Sequence, residues 1–190
     1  EPVISGSRGS GTIFFANCNL RCVYCQNHQI SQSPDACAGR EKTAGSLADA
    51  MLEVQESLRC HNVNLVSPSH CVPQILEALC LAVERGFHLP LVYNTSAYDS
   101  VDVLRLLDGV VDVYLPDLKY SSDQVAARLS AAPDYVSVAR AAVTEMYHQV
   151  GADVLLDSEG AVRRGLIVRH LVLPAGLAGS GESLSWLASH

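Results

Sequence analysis

The chain has 190 residues, 48% of them hydrophobic and 17% charged, and a formal net charge of −7. This length buries one sizeable core and is short for two, so a single domain over residues 1–190 is expected. No basic cluster is denser than Arg163-Arg164, which argues against nucleic-acid binding; no run of about 18 apolar residues and no signal-peptide start marks a membrane span or secretion; and seven cysteines, an odd number, fit reduced thiols in a cytoplasm better than a disulfide framework.

Short β-branched and apolar runs predict mostly buried strands at Thr12 to Ala16, Val63 to Ser67, Leu89 to Asn94, Val111 to Leu115 and Leu166 to Leu173. Helical periods lie between them. Ser46 with Asp49 resembles a capping box ahead of Leu47, Met51, Val54 and Leu58. A second helix starts near Pro73, carries Ile75, Leu76, Leu79 and Val83, and stops at Gly86; a third runs from about Ser100 to Asp108. The next interval holds a short helix from Ser122 to Leu129, a longer one from Pro133 to Gln149, and DVLLDSEGAVRRG, which reads as a hairpin turning at Ser158-Glu159-Gly160. A last helix begins near Glu182. Strand and helix alternate as in βαβ units, which predicts a parallel sheet with outer helices and chemistry at the carboxyl ends of its strands. Periodicity does not separate an open doubly wound sheet from a barrel.

Cys18, Cys22 and Cys25, spaced C-x3-C-x2-C, follow the first predicted strand directly. Three thiolates on one tight loop suit a polynuclear iron cluster, and with only three protein ligands one iron stays open to substrate or cofactor. The alternatives are buried free thiols, a zinc site completed by His28, and an electron-transfer cluster completed by a distant cysteine. Cys37, Cys60, Cys71 and Cys80 show no metal spacing, and Cys80 is read as core. His28, His61, His88, His148 and His190 are read as surface or core residues rather than ligands.

Other strand ends carry polar groups. Ser67-Pro68-Ser69-His70 follows the second strand, with the turn as the plain reading. Asn94-Thr95-Ser96 follows the third, suited to ribose hydroxyls or a carboxylate, or to capping the next helix. Asp117 and Lys119, two apart, share one face at the end of the fourth; the alternative is an exposed ion pair. Arg169 and His170 interrupt an apolar fifth strand and point to opposite faces, and Arg169, with its fixed donor fork, is the better ligand-binding candidate.

The motif C-x3-C-x-aromatic-C, with Tyr24 as the aromatic, resembles the signature of the radical S-adenosylmethionine superfamily. The wider set GSGTIFFANCNLRCVYCQNHQIS, NVNLVSPSH, VYNTSAYDS, YLPDLKY and RHLVLPAG is similar to its pyruvate formate-lyase activating enzyme-like branch. The resemblance implies an α/β fold, a partial (β/α) barrel in which about five of six strands are present, apparently clipped at both ends. It implies a [4Fe–4S] cluster on Cys18, Cys22 and Cys25, whose fourth iron takes the amine and carboxylate of S-adenosylmethionine. Cofactor contacts fall to Tyr24 beside the adenine, Ser67, Asn94, Thr95, Asp117, Lys119 and Arg169, with Lys119 on the methionyl carboxylate and Asp117 holding the lysine. Ser67-Pro68-Ser69 stands where many members have Gly-Gly-Glu, so amine binding passes to backbone carbonyls and the Ser67 or Ser69 hydroxyl. The implied activity is reductive cleavage of the cofactor to a 5′-deoxyadenosyl radical that abstracts hydrogen from a substrate, such as a glycyl residue of a partner enzyme. A flavodoxin or ferredoxin supplies the electron. The competing classes are an iron–sulfur electron-transfer protein without turnover and a zinc-stabilised structural domain.

Overall fold

The computed structural model describes residues 1–33 and 41–189. A one-turn helix, α1 (Pro2–Ser5), leads to strand β1 (Gly11–Phe14), the cysteine loop and a second single turn, α2 (His28–Ser31). Helix α3 (Ala44–Glu56) precedes β2 (Val63–Val66), and α4 (Val72–Glu84) precedes β3 (Leu91–Thr95). Then follow α5 (Val101–Arg105), β4 (Val113–Pro116), α6 (Asp123–Ser130), α7 (Tyr135–Val150), β5 (Leu155–Leu156), β6 (Val162–Leu166) and α8 (Ser180–Ala188).

Local chemistry sets the helix ends. Helix α3 starts one turn before the expected capping box: Thr43 is the N-cap, its hydroxyl accepting from the Ser46 amide at 3.1 Å, and the Asp49 carboxylate pairs with Arg85 instead. Helix α4 takes Pro73 in its first turn and gives way at Gly86, whose φ of 92° suits glycine. Its buried stripe is Val72, Ile75, Ala78, Leu79 and Ala82; Val83 and Cys80 lie off it and are exposed, which corrects the expectation that Cys80 is core. Cys37 and His190 lie outside the described residues.

The six strands form one sheet in the order β1-β2-β3-β4-β6-β5. Every neighbouring pair is parallel except β5 with β6. The expected hairpin is present, but its second arm is itself the fifth parallel strand, so that strand starts earlier than Leu166 and the sheet gains β5 as a sixth. Pairing to β4 continues past β6: Arg169 N–H donates to Pro116 O at 2.9 Å, Leu118 N–H donates to Arg169 O at 2.8 Å, and Asp117 bridges Arg169 in parallel register. The parallel strands follow chain order without the reversal that defines a doubly wound sheet.

Successive side chains alternate between faces, so the register fixes two layers. One holds Leu65, Tyr93 and Tyr114 against Met51, Ile75, Leu104 and Met146 of the helices, the main core. Truncating one of its large aliphatics, such as Ile75→Ala, costs about 2–5 kcal/mol. The other face holds Val92, Val113 and Leu115, sealed at one end by Ile4 of α1. Its opposite end, at the carboxyl ends of the strands, stays open.

Candidate functional site

The cysteine loop is pinned over that open end. Leu20 is buried against Leu118, Tyr120 and Tyr135, and the amides of Arg21 and Val23 donate to the carbonyls of Ser130 and Leu129, both at 2.9 Å. Gln32 Nε2 donates to Cys22 O at 2.9 Å and closes the loop from its far side. Tyr135 ties the neighbouring strand ends together: its hydroxyl accepts from Lys119 N and donates toward the carbonyls of Asp117 and Ser96 at 2.8 and 2.9 Å.

Beneath the loop lies a cavity of about 560 Å³. Cys18, Cys22 and Cys25 line it together with Tyr24. From the strand ends come Ser67, Asn94, Thr95, Asp117, Lys119 and Arg169, so the structure brings all ten predicted site residues to one cavity. His28, the proposed fourth zinc ligand, is exposed and does not line it.

Each sulfur has a hydrogen-bonding neighbour. Leu20 N–H donates to Cys18 Sγ at 3.4 Å, Ser130 Oγ donates to Cys22 Sγ at 3.0 Å, and Cys25 Sγ and Ser31 Oγ lie 3.1 Å apart. Burial pushes the Cys18 thiol up, the Leu20 amide opposes this, Cys22 and Cys25 add to it, and Lys119 lowers it. Cys18 thus sits within electrostatic reach of Cys22, Cys25 and Lys119. Among the described residues no three His, Cys, Asp or Glu side chains group tightly enough to hold one metal ion. A polynuclear iron cluster takes each thiolate on a different iron. Three soft donors, each with an N–H or O–H beside its sulfur, fit such a cluster.

Opposite the cysteines stands a connected polar wall. Asp117 Oδ2 accepts from Lys119 Nζ at 2.7 Å and Asp117 Oδ1 from Arg169 Nε at 2.7 Å. Arg169 also donates to Asn94 Oδ1 at 2.7 Å and reaches Glu1 Oε1 at 3.3 Å. Lys119 is buried, its side chain 10% exposed, so the Asp117–Lys119 pair is not the exposed one kept as the alternative. His170 turns away from Arg169, donating through Nδ1 to Leu118 O and meeting Ser180 Oγ at 2.8 Å with Nε2.

Thr95 differs from its neighbour Asn94. It borders the cavity, but its hydroxyl points into the helix-side layer and donates to the buried carboxylate of Asp99 at 2.5 Å. Strand alternation puts Asn94 on the open face and Thr95 on the other. Asp99 also accepts from Tyr93 OH at 3.0 Å, and burial pushes its carboxyl above the ordinary range while Ser69, Thr95 and Tyr93 pull it down. Ser67 adopts a left-handed φ of 57°, its N–H donating to Asn94 O at 3.0 Å. Tyr24 OH and Tyr120 OH share a hydrogen bond at 2.5 Å, continued at 2.5 Å from Tyr120 to Ser130. Sequence reasoning missed Tyr120, Ser130 and Asp99. Only Asp99 carried a signal, as a lone carboxylate three residues after the predicted Asn94-Thr95-Ser96 cluster.

No protein-family model matches the chain. It is 32% identical over 171 residues to the uncharacterized protein MJ0674 of Methanocaldococcus jannaschii, an alignment covering 87% of this chain and 45% of that protein. The chain thus spans about half the length of the curated relative it matches. Among the described residues no helix is long and apolar enough to cross a membrane.

Proposed function

We propose that this chain is the core of a radical S-adenosylmethionine enzyme of the pyruvate formate-lyase activating enzyme-like kind, its sheet a partial (β/α) barrel. The observation that carries the reading is the meeting, around one cavity, of the C-x3-C-x2-C thiols with the Asn94, Asp117, Lys119 and Arg169 network. On this reading Cys18, Cys22 and Cys25 hold a [4Fe–4S] cluster with one iron open to S-adenosylmethionine. Bound there, the two would supply one-electron reductive cleavage of the cofactor and hydrogen abstraction from a substrate.

The chain's own residues bind and orient. Lys119, buried and fixed by Asp117, offers its ammonium to the methionyl carboxylate. Arg169, held by Asp117 and Asn94, presents its fork toward a ribose or carboxylate without having to reorganise. Tyr24 supplies an aromatic edge for the adenine, and Ser67 a hydroxyl and carbonyl for the amine. Thr95 acts one step back, fixing the strand end through Asp99. The substrate class is a glycyl residue of a partner enzyme, the electron donor a flavodoxin or ferredoxin, and the setting the cytoplasm.

Anaerobic reconstitution with iron and sulfide tests this. The expected result is about four irons per chain, a reduced-cluster spectrum that changes when S-adenosylmethionine is added, and 5′-deoxyadenosine release under a strong reductant. No iron uptake, or a spectrum indifferent to the cofactor, rejects the reading. A responsive cluster without release makes the chain a binding or electron-transfer protein.

A further inference from the structure

The cysteine loop has two sides. Cys18, Leu20, Cys22 and Tyr24 line the cavity, whereas Arg21 and Val23, which bracket Cys22, do not line it and are exposed, Val23 by 72%. The amides of both are bound to the last turn of α6, at Ser130 O and Leu129 O, and occupy carbonyls at the negative end of that helix. Arg128, also exposed, lies one residue from the carbonyl that holds Val23. Arg21, Val23 and Arg128 therefore share one small stretch of outer surface. Cys22 is the residue beneath it, its Sγ accepting from Ser130 Oγ at 3.0 Å.

The charge of this stretch is opposite to that of the chain. The net charge is −7, yet residues 2–34 contain no Asp or Glu. Among the described residues no carboxylate forms an ion pair with Arg21 or Arg128. The carboxylates nearest to Arg128 in sequence, Asp123 and Asp134, accept from the Val136 amide and the Tyr98 hydroxyl. Arg21 donates through Nη1 to Leu20 O at 3.1 Å, which holds its guanidinium against the loop.

We propose that this patch is the docking surface of an acidic one-electron carrier protein, which delivers its electron inward by way of Cys22. The carrier is oxidised by one electron and the cluster reduced by one, with no proton or group transferred. Two cations beside one exposed valine complement an acidic partner and steer its approach to a chain whose overall charge repels it. So small a patch suits the transient interfaces of electron-transfer pairs rather than a lasting complex. Lying on the outer side of the loop, it leaves the cavity free, so carrier and S-adenosylmethionine bind at the same time. The inference rests on the proposed function for the cluster that receives the electron.

The test uses the whole chain, first loaded with iron. Reduction of the cluster by an acidic flavodoxin is followed by stopped flow, with photoreduced 5-deazariboflavin as a neutral small reductant. Raising the salt from about 0.05 to 0.5 M is expected to slow flavodoxin about tenfold or more. Arg128→Glu is expected to slow it about tenfold or more at the lower salt and Val23→Ser about threefold or more, while deazariboflavin changes less than about twofold. The loop is held by main-chain amides and Leu20 rather than by these two side chains, so both variants are expected to take up iron. Oxidised flavodoxin added to the iron-free chain gives a readout without the cluster: amide shifts at Arg21, Val23 and Arg128, and binding weakened by Arg128→Glu. A ferredoxin that meets the same criteria supports the surface equally. Competition between flavodoxin and S-adenosylmethionine for the loaded chain places the carrier at the cavity and overturns the surface. A redox-inert acidic protein that binds as tightly makes the patch a general anion face and overturns the carrier. A cluster that deazariboflavin reduces, but that neither carrier reduces or that both reduce equally fast in every variant, overturns the surface and leaves the proposed function standing. Failure of iron uptake rejects both.

Discussion

Asp117 holds Arg169 across the parallel pairing that extends β4 and β6, carboxylate to guanidinium at 2.7 Å, and with its other oxygen holds Lys119 at the same distance. One carboxylate thus fixes two cations at the cavity mouth. Replacing it leaves the buried Lys119 ammonium without its anion, a defect larger than the loss of an exposed pair. Asp117 is itself a quarter exposed, which moderates the effect through solvent screening. Asp117→Ala is expected to cost about 1–3 kcal/mol in chemical unfolding and, on the proposed function, to weaken S-adenosylmethionine about tenfold or more by calorimetry. Lys119→Met, which removes the stranded charge, is expected to be less destabilising while losing cofactor affinity equally. If Asp117→Ala binds the cofactor normally, the network is structural.

Asp99 predicts a pH dependence. Its carboxyl is raised above the ordinary value by burial, so in the window above about pH 4 the folded protein binds more protons than the unfolded chain. Its contribution is therefore fully present below the unfolded value and is lost as pH rises through the higher folded value. Asp112, also raised by burial, acts with the same sign. Asp99→Asn is expected to flatten the fall in urea midpoint between about pH 4 and 7 without abolishing it. An unchanged slope removes Asp99 from the explanation.

The alternation of strand and helix was legible because each parallel strand is an apolar run and each helix carries its own stripe. Faces follow from periodicity too: period two separates Asn94 from Thr95 and the α4 stripe excludes Cys80, although the sequence reading puts Asn94 and Thr95 together at the cofactor and Cys80 in the core. The cap at Thr43 competed with a look-alike at Ser46, three residues on, and only geometry decides between adjacent hydroxyls. Contacts across long stretches of chain were not legible. Ser130 reaches Cys22 from 108 residues away, and no local pattern marks a helix-end serine as a sulfur's donor.

Ser67 gives a stability prediction of the opposite sign. It holds a left-handed φ of 57° just past β2, a conformation that costs a residue with a Cβ about 1–2 kcal/mol and costs glycine almost nothing. Glycine's greater unfolded-state freedom cancels part of this gain. Ser67→Gly is expected to stabilise by about 0.5–1 kcal/mol in denaturant unfolding. If the hydroxyl serves the cofactor amine, the same change weakens S-adenosylmethionine; if only the carbonyl does, affinity is unchanged. Destabilisation means that the Ser67 side chain contributes more to the fold than its backbone strain removes.

The chain from Tyr24 through Tyr120 and Ser130 ends on Cys22 Sγ, so on the proposed reading it bears on the cluster rather than on S-adenosylmethionine. A hydrogen bond to a ligating sulfur withdraws negative charge from the cluster and favours its reduced form. Ser130→Ala removes the donor without touching a proposed ligand. On the proposed reading it is expected to leave iron content unchanged and to lower the cluster's midpoint potential by on the order of 40 mV, the one-electron equivalent of a hydrogen bond of about 1 kcal/mol. Tyr24→Phe breaks the chain at its far end, two bonds from the sulfur, and is expected to shift the potential in the same direction by less. Potentiometric titration followed by electron paramagnetic resonance measures both. Equal shifts make the tyrosines act through solvent exclusion, and no shift in Ser130→Ala means that its hydroxyl turns from the sulfur once iron is bound.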